Sequence, residues 1–237
     1  SILDVIVASA WLEERVRASP IFENVRVHRI PFGIDLERFR PTDSRKERAN
    51  LNVEPGNVVL ALRATRSIFK GLDAVIGALE RLETDQRITL LIFGEPGLLD
   101  RFSSRFQLIE LGWIEDEEAM VRAYNAADIF LMPSTAEAFG MMAMEAMACG
   151  KPAIVMSGTS LDEVVKPELG GGVSVPQGDL DQFVTKIQEL VEDRTARAQI
   201  GSRARELSEE YYDRDRYTRA VIGVYEQAIE RAPATER

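Results

Sequence analysis

The sequence predicts an α/β fold, a Rossmann-like, mostly parallel sheet with helices on both faces. Two observations carry this expectation. Short, continuously apolar, β-rich runs recur along the chain, and most are separated by spans of ten or more residues with helical patterning. Crossovers of that length join parallel strands, and helices packed on both faces require strands that are apolar throughout. Such sheets bind ligands at the carboxyl ends of their strands, where loops meet helix N-termini.

Each element follows in order. Residues 3–9 (LDVIVAS) form a β-rich run, and a short helix is expected over 11–18 with Ser9 as its N-cap. Residues 25–30 read as a strand closed by a turn at Pro31, Gly33 and Asp35. The polar run 38–50 suits a surface linker or short helix. A strand at 58–62 leads through a loop at 63–69 to an amphipathic helix at 71–83, with Leu72, Val75, Ile76, Leu79 and Leu82 on one stripe. Strands are expected at 88–93 and 106–111. A helix at 116–126 is led by acidic residues, which suit the positive end of its dipole. A strand at 129–132 precedes a helix beginning near Phe139. Gly150 and Pro152 end that helix, because glycine tolerates a left-handed cap and proline cannot extend it. Strands at 153–156 and 173–175, a helix at 180–191 capped by Asp179, and helices at 194–211 and 215–229 complete the chain.

The composition narrows the function classes. Hydrophobic residues are 45% and charged residues 29% of 237, a globular balance. A net charge of -10 argues against general nucleic-acid affinity and against adhesion of this part to anionic lipid. The single cysteine, Cys149, excludes an intrachain disulfide, fits a reducing compartment and reads as a packed small hydrophobe. His28 has no visible ligand set, so no metal site is expected. Neither GxGxxG after an N-terminal strand nor GxxxxGK[ST] is present, which leaves dinucleotide and P-loop readings unsupported.

Three clusters fall at predicted strand ends: RATRSIFKG with Arg63, Arg66 and Lys70; Gly94-Glu95-Pro96-Gly97; and 134–142 with Glu137. The basic loop and the helix N-terminus near Gly140 together suit an anion, since first-turn N–H groups donate to phosphate oxygens. Arginine adds paired planar donors and lysine a compact charge. Glu145 lies in a run of methionines and alanines, where an unpaired carboxylate is costly, so it is expected to face a partner or ligand. Two carboxylates beside a phosphate site suit a polyhydroxylated, phosphorylated ligand.

The stretch PSTAEAFGMMAMEAMACGKPAIV, with Glu137 and Glu145 eight residues apart, strongly resembles the donor-site motif of the GT-B glycosyltransferases of family 4. Residues 29–35 (RIPFGID) resemble the family's interdomain segment, with Phe32 in place of its usual asparagine; Ala138 replaces a frequent glycine. Residues 63–71 resemble its Arg…Lys-Gly loop, 111–114 its strand end beside the nucleobase, and 157–164, with Glu163, the loop after the motif helix. The terminal helix carrying Tyr225 resembles one that packs back toward the first domain.

The resemblance implies the C-terminal half of a GT-B architecture and a retaining transfer of a hexose from a nucleoside diphosphate sugar, UDP- or GDP-linked, to a hydroxyl. It implies no cofactor and no metal. Arg63, in preference to Arg66, and Lys70 would hold the diphosphate together with the backbone of Phe139, Gly140, Met141 and Met142. Glu137 would contact the donor sugar, Glu145 the ribose, and the backbone of Trp113 and Ile114 the base. Residues 1–20 are expected to be the end of a preceding acceptor domain, 21–36 the connection, 37–215 the donor domain and 216–237 the returning helix. The isolated chain is expected to bind nucleotide without transferring. A cytoplasmic protein is expected, with peripheral attachment of the full enzyme at the inner membrane face as an alternative; the acceptor is a glycan, a lipid-linked saccharide or a metabolite. A nucleotide-sugar sensor or assembly module, or a fragment of a GT-B sugar-nucleotide epimerase, are the alternatives.

Overall fold

The computed structural model describes residues 3–231. Two strands stand apart from the main sheet: β1 (Asp4–Val7) and β2 (Arg26–Arg29) pair in parallel with each other. Between them runs α1 (Ala10–Ala18), capped by Ser9 as expected, whose side chain accepts from the Leu12 N–H. The segments separated at residue 20 on sequence grounds thus form one small unit. His28 contributes to it structurally, with Nε2 2.7 Å from Asp4 Oδ1.

The run 38–50, read as a surface linker or short helix, contains α2 (Ser44–Asn50), capped by Asp43. The main sheet follows: β3 (Val58–Ala64), β4 (Ile88–Gly94), β5 (Gln107–Gly112), β6 (Ile129–Met132), β7 (Ala153–Met156) and β8 (Val173–Val175). All its neighbours are parallel, in the order β5-β4-β3-β6-β7-β8. Its helices are α3 (Leu72–Arg81), α4 (Glu117–Ala126), α5 (Met141–Ala148), α6 (Leu161–Val165), α7 (Leu180–Glu192), α8 (Arg194–Tyr211) and α9 (Arg214–Arg231).

Strand β3 shows how the layers form. Val59 and Ala61 pack with residues of α4, α5, α6 and α8, whereas Leu60 and Leu62 pack with Val75, Ala78 and Leu79 of α3 and Phe183 and Ile187 of α7. Successive side chains point to opposite faces, so a continuously apolar strand is buried twice. Strand order runs outward from β3 in one direction and from β6 in the other. Their carboxyl ends therefore diverge into a crevice, the position at which sheets of this kind take ligands.

Several element ends shift by one or two residues, and two differences bear on the site. The motif helix starts at Met141, because Gly140 is its N-cap at φ 106° and Phe139 lies in the preceding loop. The expected loop at 157–164 runs into α6 (Leu161–Val165), a five-residue helix too short for its periodicity to stand out. Helix α9 turns back on the amino-terminal unit, where Arg231 pairs with Asp4 at 2.9 Å. Residues 1–2 and 232–237 of the two expected terminal segments lie outside the described residues.

Candidate functional site

The crevice between β3 and β6 is built by two loops pressed together. Gly71, the N-cap of α3, has φ 71°, and a Cβ there would lie 2.0 Å from the Pro133 carbonyl oxygen. Only glycine permits that approach. The Thr135 N–H donates to the Phe69 carbonyl at 2.9 Å, fixing the same pair of loops. Lys70 is thereby carried to Glu137, with Nζ 2.6 Å from Oε2.

The loop after β6 is held by hydroxyls. Ser160 Oγ donates to the carbonyls of Glu137 (2.7 Å) and Phe139 (2.9 Å), and Ser9 Oγ to that of Ala138 (2.8 Å). At the start of α5, Ala143 and Met144 donate to the Gly140 carbonyl. The N–H groups of Gly140, Met141 and Met142 find no acceptor among the described residues. They border a cavity of about 220 Å³ that also receives Phe32, Arg63, Lys70 and Glu137.

Arg63 leaves the end of β3 with its guanidinium 4.8 Å from the Trp113 ring centre. Its Nε is buried and unpartnered, and no acid among the described residues pairs with it. Arg66 differs: it is ion-paired with Glu95 at 2.7 Å, and its side chain is 75% exposed. It borders a separate cavity of about 570 Å³, beyond the Gly71–Pro133 contact on the α3 and α7 side.

Two further cavities extend the site into a trough. One, of about 190 Å³, shares Arg63 and Met142 with the first and adds Gly94, Trp113 and Ile114. The other, of about 290 Å³, shares Ile114 and Met120 with the second and adds Glu145, Asp35 and Arg214. Unpaired positive charge thus lies at the centre of the trough and carboxylates at both ends. A diphosphate with a hydroxylated group on each side matches that order.

Glu145 does have the partner its surroundings demand, and it is one the sequence reading missed. Tyr124 on α4, wholly buried, donates its hydroxyl to Glu145 Oε2 at 2.8 Å. Desolvation by burial still raises the Glu145 pKa to about 7, against the lowering effect of that hydrogen bond. Burial likewise pushes the Cys149 thiol up to about 12, in keeping with a packed and unreactive side chain.

Glu163 lies away from the trough. Its carboxylate accepts from the Ala10 and Trp11 N–H groups (2.9 and 3.0 Å) at the start of α1, where the helix dipole favours an anion. The ten sequence-predicted site residues, Arg63, Lys70, Trp113, Ile114, Glu137, Phe139, Gly140, Met141, Met142 and Glu145, all line the trough. Among the described residues no group of three or more histidine, cysteine, aspartate and glutamate side chains could hold a metal ion.

Residues 43–207 match the family model of glycosyl transferases group 1. The chain belongs to this family. Its similarity extends to a D-inositol 3-phosphate glycosyltransferase of Saccharomonospora viridis, 32% identical over 214 residues, covering 83% of this chain and 49% of that protein. Among solved structures, a sucrose-phosphate synthase of Thermosynechococcus elongatus superposes with TM-score 0.82 at 26% identity, covering 97% of this chain and 59% of that one. The Anabaena protein HepE, solved with UDP and glucose, superposes with TM-score 0.80 at 22% identity, covering 94% and 63% respectively. This glycosyl transferase chain spans about half the length of the curated relatives it matches. Among its described residues no helix is long and apolar enough to cross a membrane.

Proposed function

We propose that the chain is the donor-binding half of a retaining glycosyltransferase, moving a hexose from a nucleoside diphosphate sugar to a hydroxyl. The observation that carries this reading is Arg63, a cation without an acid partner at the centre of the trough. Leaving a partly buried cation with a buried, unpartnered Nε is costly, and a diphosphate relieves the cost. Family membership and the UDP held by HepE support the same donor class. In this reading residues 37–215 hold the donor, 1–20 are the end of a preceding acceptor domain, 21–36 connect the two, and the helix from 216 onward packs back toward that domain. The protein works in the cytoplasm, where its single cysteine stays reduced.

Each side chain then has a role. Arg63, Lys70 and the N–H groups of Gly140, Met141 and Met142 stabilise the charge that grows on the leaving diphosphate. Glu137 accepts from the donor sugar and orients Lys70 through their ion pair. Glu145 accepts from the ribose, and the backbone at Trp113 and Ile114 borders the base. Closure of an acceptor domain over Phe139 excludes water and brings the acceptor hydroxyl to the anomeric carbon.

Calorimetric titration of UDP, GDP and ADP tests the assignment. Arg63→Ala, Lys70→Ala and Glu145→Ala are each expected to lose about 1.5–3 kcal/mol of binding, the worth of a charge-assisted contact. Equal affinity in the wild type and all three variants would refute the site.

A further inference from the structure

We propose that Tyr124 is a positioning residue for nucleotide binding, its hydroxyl holding the Glu145 carboxylate ionised and leaving Oε1 free for the ribose. The inference rests on the reading above, in which Glu145 receives the ribose hydroxyls. Three observations support it. Tyr124 is wholly buried, packed at 5.7 Å from the Phe93 ring and 5.6 Å from that of Phe130. Packing of this kind is served equally well by phenylalanine, and a buried hydroxyl is costly unless it is bonded. The hydroxyl's hydrogen bond goes to Glu145 Oε2 at 2.8 Å, across the α4–α5 interface. Finally, Glu145 Oε1 accepts nothing from the described residues, and the side chain borders the cavity with Met141 and Ile114.

The charges around Glu145 make Tyr124 the group best placed to set its ionisation. Along α5 the next titratable group is Cys149, which burial keeps protonated. Across the cavity stand Glu115, Asp116 and Glu117, together with Asp35, which is ion-paired at 3.0 Å to Arg214 of α9. On α8, Arg205 is committed to the Ala148 carbonyl and to Glu209. On α6, Glu163 is committed to α1 and Asp162 to Gly158 and Ser174. Lys151, after α5, donates to the Asn125 carbonyl. None of these cations is bonded to Glu145, and neither is Arg63 at the centre of the trough, which acts on the Tyr124 hydroxyl only through space. The tyrosine is a constant donor, because burial raises its own pKa well above the usual range.

Loss of the hydroxyl therefore favours the protonated carboxyl. If the Glu145 midpoint rises by about one unit from near neutrality, the ionised fraction at pH 7 falls, and nucleotide affinity with it, about fivefold. The deficit closes at pH 9, where both forms are ionised.

Two measurements on wild type, Tyr124→Phe and Glu145→Gln test this. The first follows UDP, GDP and ADP affinity by calorimetry from pH 5.5 to 9. The terminal phosphate titrates in the same range, so the Glu145 contribution is the difference between each profile and that of Glu145→Gln. Tyr124→Phe is expected to weaken binding near pH 7 and recover by pH 9. A deficit equal at every pH, as a packing defect gives, or an unmoved profile would overturn the inference. The second is 13C NMR of the labelled Glu145 carboxyl without ligand, expected to titrate at higher pH in Tyr124→Phe; an unchanged midpoint would also overturn it. If Glu145→Gln binds every nucleotide like wild type, the ribose assignment itself fails. If it weakens binding while Tyr124→Phe moves neither midpoint, only the role of Tyr124 fails.

Discussion

Replacing Glu145 with glutamine should stabilise the ligand-free protein at alkaline pH and do little for it in mild acid. The fold raises the Glu145 pKa from 4.5 to about 7, chiefly by desolvation. A carboxyl whose pKa is higher folded than unfolded contributes stability below the unfolded value and loses it as pH rises through the folded one. Summing that linkage, ionisation costs about 3.3 kcal/mol at pH 8 and about 0.8 kcal/mol at pH 5, a difference of about 2.5 kcal/mol. Glutamine keeps an oxygen for the Tyr124 hydroxyl and carries no charge, so it escapes the pH-dependent part. For a domain of this size that difference shifts Tm by roughly 5–10 °C. The assay is thermal unfolding of wild type and Glu145→Gln at pH 5 and pH 8, without nucleotide. The gain from the substitution should grow between the two by that amount. An equal Tm difference at both values would mean that the carboxylate is not desolvated in the folded state, and the reasoning would fail.

Arg66→Ala should leave nucleotide affinity where it is, since that side chain is neutralised by Glu95 and points into solvent; calorimetry beside Arg63→Ala distinguishes the two arginines. Gly140→Ala should lower stability by roughly 1–2 kcal/mol, because a residue with a Cβ resists positive φ, and the added Cβ would lie 2.4 Å from Leu161 Cδ2; chemical denaturation reads the loss. Glu163→Gln should weaken the hold on α1 by about 1 kcal/mol, read as faster hydrogen exchange at the Ala10 and Trp11 amides while the main sheet keeps its protection.

Much of this fold was legible in the sequence because its signals are local. The runs that became β6, β7 and β8 match their strands residue for residue, and Ser9 and Asp179 cap the helices they precede. In the site, Arg63, Lys70, Glu137 and Glu145 could be named because each stands at a strand end or out of keeping with its neighbours. What escaped notice lies at long range. The Ser9 hydroxyl reaches Ala138 across 129 residues, Glu163 reaches Ala10 across 153, and no periodicity announces either. Tyr124 was hidden differently. On α4 it reads as one more apolar position of an amphipathic stripe, and only the packing of α4 against α5 turns its hydroxyl into a partner for Glu145.

The cost of the unliganded state is concentrated where the sheet opens. Most buried polar groups of the described residues are satisfied: Asn125 bridges three backbone positions, and Ser160 serves two carbonyls. Of the three side chains with a buried, unpartnered polar atom, Glu47, Asn57 and Arg63, only Arg63 borders the trough. Glu145 is its counterpart in sign, a carboxylate that the fold discourages from ionising. One needs an anion and the other a hydroxyl donor, and the adjoining cavities that they border share Ile114 and Met120. A free phosphate relieves only the first and a free sugar only the second. A ribose diphosphate relieves both at once, so nucleoside diphosphate should bind more tightly than the summed effects of pyrophosphate and nucleoside added together, and Glu145→Gln should lower that excess without touching pyrophosphate binding.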